Sequence, residues 1–260
     1  MKIKDRFWLW GHPAGRFDNE FGNTLPSRMT PMEGCLYLGV NNAFMVPCMV
    51  EVNERQYMKS FKTLKHVGWE TYSAGKNPEA IEPIITLAKE FPNLDCVVFD
   101  DFIDQADHTQ IPVDNLYKVH DRLHNNDAHP MDMWMVLYTR EFGLDAEKDA
   151  AFGQYIAPFD GIIMWTWKES DVPQISAKYE VFKRMTEGKR RMFGCYLYNF
   201  GENKQATGEA VKWQLDWYRE RIIAGEAEGV VLHTNTMADL DFEAYDVACK
   251  WMEEHGEEDI

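Results

Sequence analysis

Eight short apolar runs, at 7–10, 43–46, 67–72, 96–99, 133–138, 161–167, 192–198 and 230–233, recur along the chain, each followed by a helix-periodic segment. Runs this short and this uniformly apolar suit strands covered on both faces, as a parallel sheet with crossover helices requires. Strict β-α alternation at roughly 30 residues per unit argues for such a sheet, and eight units argue for its closure. The predicted fold class is therefore α/β, a single (β/α)8 TIM barrel in one domain over 1–260. The length agrees with the roughly 250 residues such a barrel needs.

The helical segments have readable ends. Thr30-Pro31-Met32-Glu33 combines capping-box spacing with proline at the first helical position, and Gly39 closes that helix. Asn53 opens the second, with Tyr57, Phe61 and Leu64 at helical spacing, and Asn77-Pro78 opens the third, which ends before Pro92. The fourth is expected over 112–124, the fifth from Asp145, the sixth around 178–185 and the seventh over 210–223. Asp241 is expected to cap the last.

Charge narrows the partners. With 43 acidic residues against 27 basic and a formal charge of −16, the chain repels phosphate backbones and anionic membrane surfaces, so no nucleic acid and no membrane is expected. No apolar run is long enough to span a bilayer and none follows Met1 as a leader, which predicts a soluble, cytoplasmic protein. The cysteines form no CxxC pair, and Cys96 and Cys195 lie in apolar strands, as buried thiols in a reducing compartment do. No cofactor and no metal is expected. The expected partner is a small-molecule or oligosaccharide substrate, with homo-oligomerisation open.

In a barrel of this kind the loops leaving the strands build the site, so polar and aromatic groups at C-terminal strand ends are the candidates. The first strand ends in Trp10 and His12, the third in Glu70, the fourth in Asp100-Asp101 and the fifth in Tyr138 and Arg140. The sixth ends in Thr166, Trp167 and Lys168, the seventh in Tyr198, Asn199 and Glu202, and the eighth in His233 and Asn235. Side chains alternate between interior and helix layer, so residues two apart share a face. An ammonium against the apolar helix layer is costly, which places Lys168 toward the mouth. The same parity puts Glu70 with Tyr72, and His233 with Asn235, inward. Of Asp100 and Asp101, parity admits one inward side chain without saying which. Structural roles compete with these: an Asp that caps a helix, a Glu70 ion pair with Arg140 or Lys168, rim histidines, tryptophans that fill the wall. His66, His108, His120, His124, His129 and His255 read as surface or loop positions.

Aromatic faces beside polar groups suit sugars, which pair apolar CH faces with hydroxyl edges. The chain resembles the (β/α)8 glycoside hydrolases and their carbohydrate-acting relatives through Val97-Val98-Phe99-Asp100-Asp101-Phe102, Trp165-Thr166-Trp167-Lys168 and Tyr196-Leu197-Tyr198-Asn199-Phe200-Gly201-Glu202. The resemblance implies a carbohydrate-active enzyme, a glycoside hydrolase. In the largest clan of that group the acid/base and nucleophile are glutamates after strands four and seven. Here strand four carries two aspartates, and Glu202 lies beyond its strand.

Glycoside hydrolysis requires two carboxyl groups flanking one bond, and Glu70, Asp100, Asp101 and Glu202 are the supply. The favoured arrangement joins an Asp of the pair to Glu70 or Glu202, with Glu70 as the more desolvated acid. Lys168, Tyr198 and His233 would orient hydroxyls, while Trp10, His12, Tyr138, Arg140, Trp167, Asn199 and Asn235 line the substrate. Three other functions fit the same residues: a Schiff-base lyase or aldolase through Lys168, a metal-dependent sugar isomerase or epimerase using Glu70, an Asp, His12 and His233, and a non-catalytic carbohydrate-binding barrel.

Overall fold

The computed structural model describes residues 1–101 and 111–260. Phe102, the last residue of the strand-four motif, and His108 lie outside the described residues. Eight strands, β1 (Phe7–Gly11), β2 (Asn42–Met45), β3 (His66–Glu70), β4 (Leu94–Phe99), β5 (Asp132–Tyr138), β6 (Gly161–Trp165), β7 (Arg190–Tyr196) and β10 (Gly229–His233), close a barrel in the order β1-β10-β7-β6-β5-β4-β3-β2. Within one compact unit of the chain β2, β1, β10 and β7 pair in parallel in succession, and within the other β3, β4, β5 and β6 do. The short strands β8 (Tyr198–Asn199) and β9 (Lys204–Gln205) form a separate antiparallel ribbon after β7. Each of the eight apolar runs coincides with one barrel strand.

Four strands, β2, β3, β6 and β7, stop one or two residues before their apolar runs do. After β3, Thr71 still donates to the Val98 carbonyl at 2.9 Å, and then the Glu70 carboxylate accepts the Tyr72 amide and turns the chain into helix α3 (Tyr72–Lys76). Tyr72 is therefore a helix residue and not an inward neighbour of Glu70 on the strand. Likewise β6 ends at Trp165, so Thr166, Trp167 and Lys168 follow the strand, and Tyr198 belongs to the ribbon.

The remaining helices are α1 (Pro31–Leu38), α2 (Glu54–Ser60), α4 (Glu82–Ala88), α5 (Val113–His124), α6 (Ala146–Ile156), α7 (Ile175–Met185), α8 (Gly208–Ile223) and α9 (Glu243–His255). The Thr30 capping box forms as its spacing predicts, and Gly39 ends α1 at φ 69°, a left-handed conformation that favours glycine. Asp145 caps α6 through the amides of Glu147 and Lys148. Asp241 does not cap α9: its φ is 55°, and the cap position falls to Phe242. Phe61 leaves α2 for a short 3-10 turn, so the second helix is one turn shorter than its apolar spacing suggests. No helix among the described residues is long and apolar enough to cross a membrane.

The chain divides into two compact units, one of Met1–Asn53, Thr166–Gln174 and Met192–Ile260, the other of Glu54–Trp165 and Ile175–Arg191. In the first, Phe7 packs on Trp251 of α9 at 5.3 Å, which assigns its parity to the helix layer. Trp8 and Trp10 then face the barrel interior, where both meet Phe44 at ring separations of 4.6 and 5.7 Å. Register carries that interior layer from Trp10 to Phe44 on one side and through His233 to Tyr196 on the other. In the second unit, Phe99 lies against Gly75 of α3, where an added Cβ would stand 3.2 Å from its ring. Val98 thus faces inward, in register with Glu70 and Trp134, and Trp134 fills the space above Gly161.

Candidate active site

The carboxyl cluster belongs to the unit that holds β3 to β6. Asp100 follows β4 and continues the inward parity of Val98, half-buried, whereas Asp101 is exposed and bends the backbone to φ 46°. A non-glycine residue is uncommon in that left-handed region, although aspartate enters it more readily than most. Burial, followed by the charges of Asp101 and Glu70, pushes the Asp100 carboxyl well above the usual carboxylate range. Glu70 is also raised by burial, but the Tyr72 amide bonded to its carboxylate opposes the shift. Asp100 is therefore the better proton holder of the two, the reverse of the order expected from strand position. The cause is that Glu70 has a backbone donor and Asp100 has two acidic neighbours.

Tyr138 and Arg140 close β5 in the same unit. Tyr138 is buried, and the exposed Arg140 lays its guanidinium over the Tyr138 ring at 4.5 Å. Beside them sits Glu141, a carboxylate only 7% exposed that accepts the Tyr138 amide at 2.8 Å. Sequence reasoning passed over it because it lies three residues past the strand; Tyr138-Thr139-Arg140-Glu141, with an acid where the turn brings it back, was the available signal.

A histidine pair and an aromatic box belong to the unit that holds the termini. His12 Nδ1 lies 2.7 Å from the Val46 carbonyl, which can only accept, so Nδ1 carries the proton. Its Nε2 then accepts from His233 Nε2 at 3.2 Å. Burial lowers His12 to about 3, with the Arg16 charge adding to the effect, and burial likewise drives His233 well below the usual imidazole range. Both rings are neutral at neutral pH, and the tautomers of the pair are ordered by one carbonyl. Phe17, Phe200 and Tyr196 surround them at 4.7 to 5.9 Å. Phe17 is delivered by the segment after His12, which Arg16 fastens through the Cys48 carbonyl at 3.1 Å and Glu20 at 2.9 Å.

Several residues expected to touch substrate are occupied in holding this unit together. Asn235 is fully buried and spends its amide on the His12 amide and carbonyl and the Met29 carbonyl, at 2.8, 3.0 and 2.7 Å, which positions His12. Tyr198 is buried and donates to the Phe21 carbonyl at 2.9 Å. Asn199 is buried against Glu202, and its amide, more than the nearby Lys204, holds the Glu202 carboxyl below the usual range. Glu202 is thus an ionised residue on the turn into the ribbon. Trp167 is half-buried, edge-on to Tyr196 at 5.4 Å, and with Thr166, Tyr196 and Asn199 it lines a cavity of about 10 Å³, room for a single water. Lys168 is exposed, on the segment that follows β6.

The fold resembles that of two chitinases. The active domain 2 of the thermostable chitinase from Pyrococcus furiosus, solved as catalytic-site mutants with chito-oligosaccharides, matches with a TM-score of 0.64 at 11% identity over 98% of this chain and 97% of that one. The chitinase from Chromobacterium violaceum matches with a TM-score of 0.55 at 9% identity over 93% of this chain and 98% of that one. At such identities the likeness is one of fold. No family model matches the sequence, and no curated protein matches it.

Metal binding needs ligand atoms that converge. Among the described residues the group that brings three such atoms within 4.8 Å of one another is His120, His124 and Asp160, and it includes none of Glu70, Asp100, His12 and His233. The geometry therefore gives the metal-dependent isomerase reading no support.

Proposed function

We propose that this chain is a carbohydrate-active enzyme, a glycoside hydrolase in which Asp100 is the general acid and Glu70 its partner carboxylate. The observation that carries the reading is the Asp100 carboxyl, pushed well up by burial and by Asp101 and Glu70 at the end of β4. A carboxyl that holds its proton more tightly than an ordinary aspartate can protonate a glycosidic oxygen, while a second carboxyl supports the opposite face of the bond. Glu70 on β3 is in register with Val98, two residues before Asp100, and the amide of Tyr72 favours its charged form. Division of labour between two carboxyls requires environments that separate their proton affinities, and these differ in the required direction.

The substrate class tested first is the chito-oligosaccharides, because the similar P. furiosus domain was solved with them. Turnover is to be measured on chito-oligosaccharides and on a panel of aryl glycosides for the wild type, Asp100→Asn and Glu70→Gln. Asp100→Asn should lower turnover by about 10²–10⁴-fold, the usual contribution of acid-base catalysis, with an unchanged circular dichroism spectrum. Glu70→Gln should also lower turnover. Asp101→Asn removes one of the charges that raise Asp100, so it should move the alkaline limb of the pH–rate profile down while costing less turnover than Asp100→Asn. Full activity in Asp100→Asn sinks the assignment.

A further inference from the structure

We propose that His120, His124 and Asp160 form a binding site for a divalent transition cation of the zinc type, at the end of the barrel opposite the strand C-termini. The two histidines stand four residues apart in the closing turns of α5, so both side chains emerge on one face of the helix. Asp160 immediately precedes β6. Helices in this fold run against the strands, which brings the end of α5 and the start of β6 together, remote from the catalytic carboxyls.

The separations match a metal shell. His124 Nε2 is 3.0 Å from one oxygen of Asp160, and His120 Nε2 is 3.5 Å from the other. Ligands bonded to zinc at about 2.0–2.2 Å stand roughly 3.0–3.5 Å from one another in tetrahedral or octahedral geometry. The imidazoles stack with centroids 4.1 Å apart and planes 26° from parallel, and each turns its Nε2 to Asp160. Without a cation the same contacts are hydrogen bonds from Nε2–H tautomers to the carboxylate, as the 3.0 Å His124 contact also allows, and titration with zinc distinguishes the two.

The carboxylate is held from behind. The Met133 amide donates to Asp160 Oδ2 at 2.8 Å, and the Asp160 carbonyl accepts the Arg190 amide at 3.1 Å. On the outer side, Asp121 Oδ1 lies 3.8 Å from His120 Nδ1, the nitrogen a cation would not use. Two imidazoles and one carboxylate select zinc, nickel, cobalt or copper over magnesium or calcium, which prefer oxygen throughout. The three side chains are partly exposed, which leaves the remaining coordination positions to water. The formal charge of −16 adds a general attraction for cations. A bound cation would tie the end of α5 to the start of β6 and stabilise the fold by mass action.

The test uses the full chain, treated with a chelator and exchanged into metal-free buffer near neutral pH. It is titrated with zinc chloride by calorimetry and with cobalt chloride by visible absorption, beside His120→Asn/His124→Asn and His124→Gln. The wild type should take up a single equivalent of zinc and gain about 5–10 °C in thermal midpoint at a hundredfold excess over Kd. Cobalt should give a d–d spectrum without the intense near-ultraviolet band of thiolate ligation. The double variant should match the metal-free wild type in circular dichroism and midpoint but lose the uptake and the midpoint gain, and His124→Gln should weaken binding at least about tenfold. Absence of saturable zinc binding, a thiolate band, or uptake that persists in the double variant overturns the proposal.

Discussion

Asp100 can ionise only by placing a negative charge beside Glu70 and Asp101 in surroundings where water is scarce. Between the ordinary aspartate value of about 3.9 and its raised folded value, the folded chain keeps a proton that the unfolded chain has released. The unfolded state then binds fewer protons, so this residue makes stability fall as pH rises through that window. Asp100→Asn removes the penalty. It should therefore raise the thermal midpoint near neutral pH while turnover collapses, at about 2–4 °C for each kcal/mol recovered, and the two proteins should converge in acid. Calorimetric scans at a series of pH values measure this. A lower midpoint for the variant near neutrality would mean that the carboxylate supports the fold as an ion, contrary to its use as an acid.

At the scale of single elements, α1 links a local sequence signal to the histidine pair. Thr30 and Glu33 exchange the two bonds of a capping box, with Glu33 accepting the Thr30 amide at 2.8 Å, so Thr30→Ala should cost about 0.5–2 kcal/mol. Gly34, one residue further, lets the helix approach so closely that an added Cβ would stand 2.6 Å from the Cβ of Asn235. Gly34→Ala should cost about 1–3 kcal/mol through overpacking, and it should also disturb the amide that positions His12. Denaturant titration tests each: both variants should unfold earlier with unchanged slope. Equal stability of Gly34→Ala and wild type would show that α1 can retreat without strain.

For the molecule as a whole, the neutral buried histidines set the response to acid. His12 lowered to about 3 means that from the ordinary 6.5 down to that value the unfolded chain binds a proton the folded chain refuses. Stability therefore falls with falling pH through that window, by at most about 1.4 kcal/mol per pH unit for each such histidine, and His233 acts in the same sense. His12→Gln should flatten the acid limb of the stability profile measured by denaturant titration between about pH 4 and 7. An unchanged limb would place the acid sensitivity in other groups.

The eight strands and the capped starts of α1 and α6 could be read directly, because strand hydrophobicity and cap chemistry are properties of neighbouring residues. So could the positions at strand ends where polar groups gather. Short α3 was missed since the acceptor of its first amide is Glu70, a side chain that reads equally well as part of a strand. Lys168 was placed inward by a parity that no longer holds once β6 stops at Trp165. Sequence by itself determined the periodicity, and so the barrel and the candidate strand ends. Tertiary structure alone decided which carboxyl keeps its proton, that Asn235 positions His12 instead of meeting a ligand, and that His120 and His124 meet Asp160, 36 residues beyond His124 in the chain. Desolvation and charge coupling depend on which groups the fold brings together across strands, and distance along the chain carries no record of that.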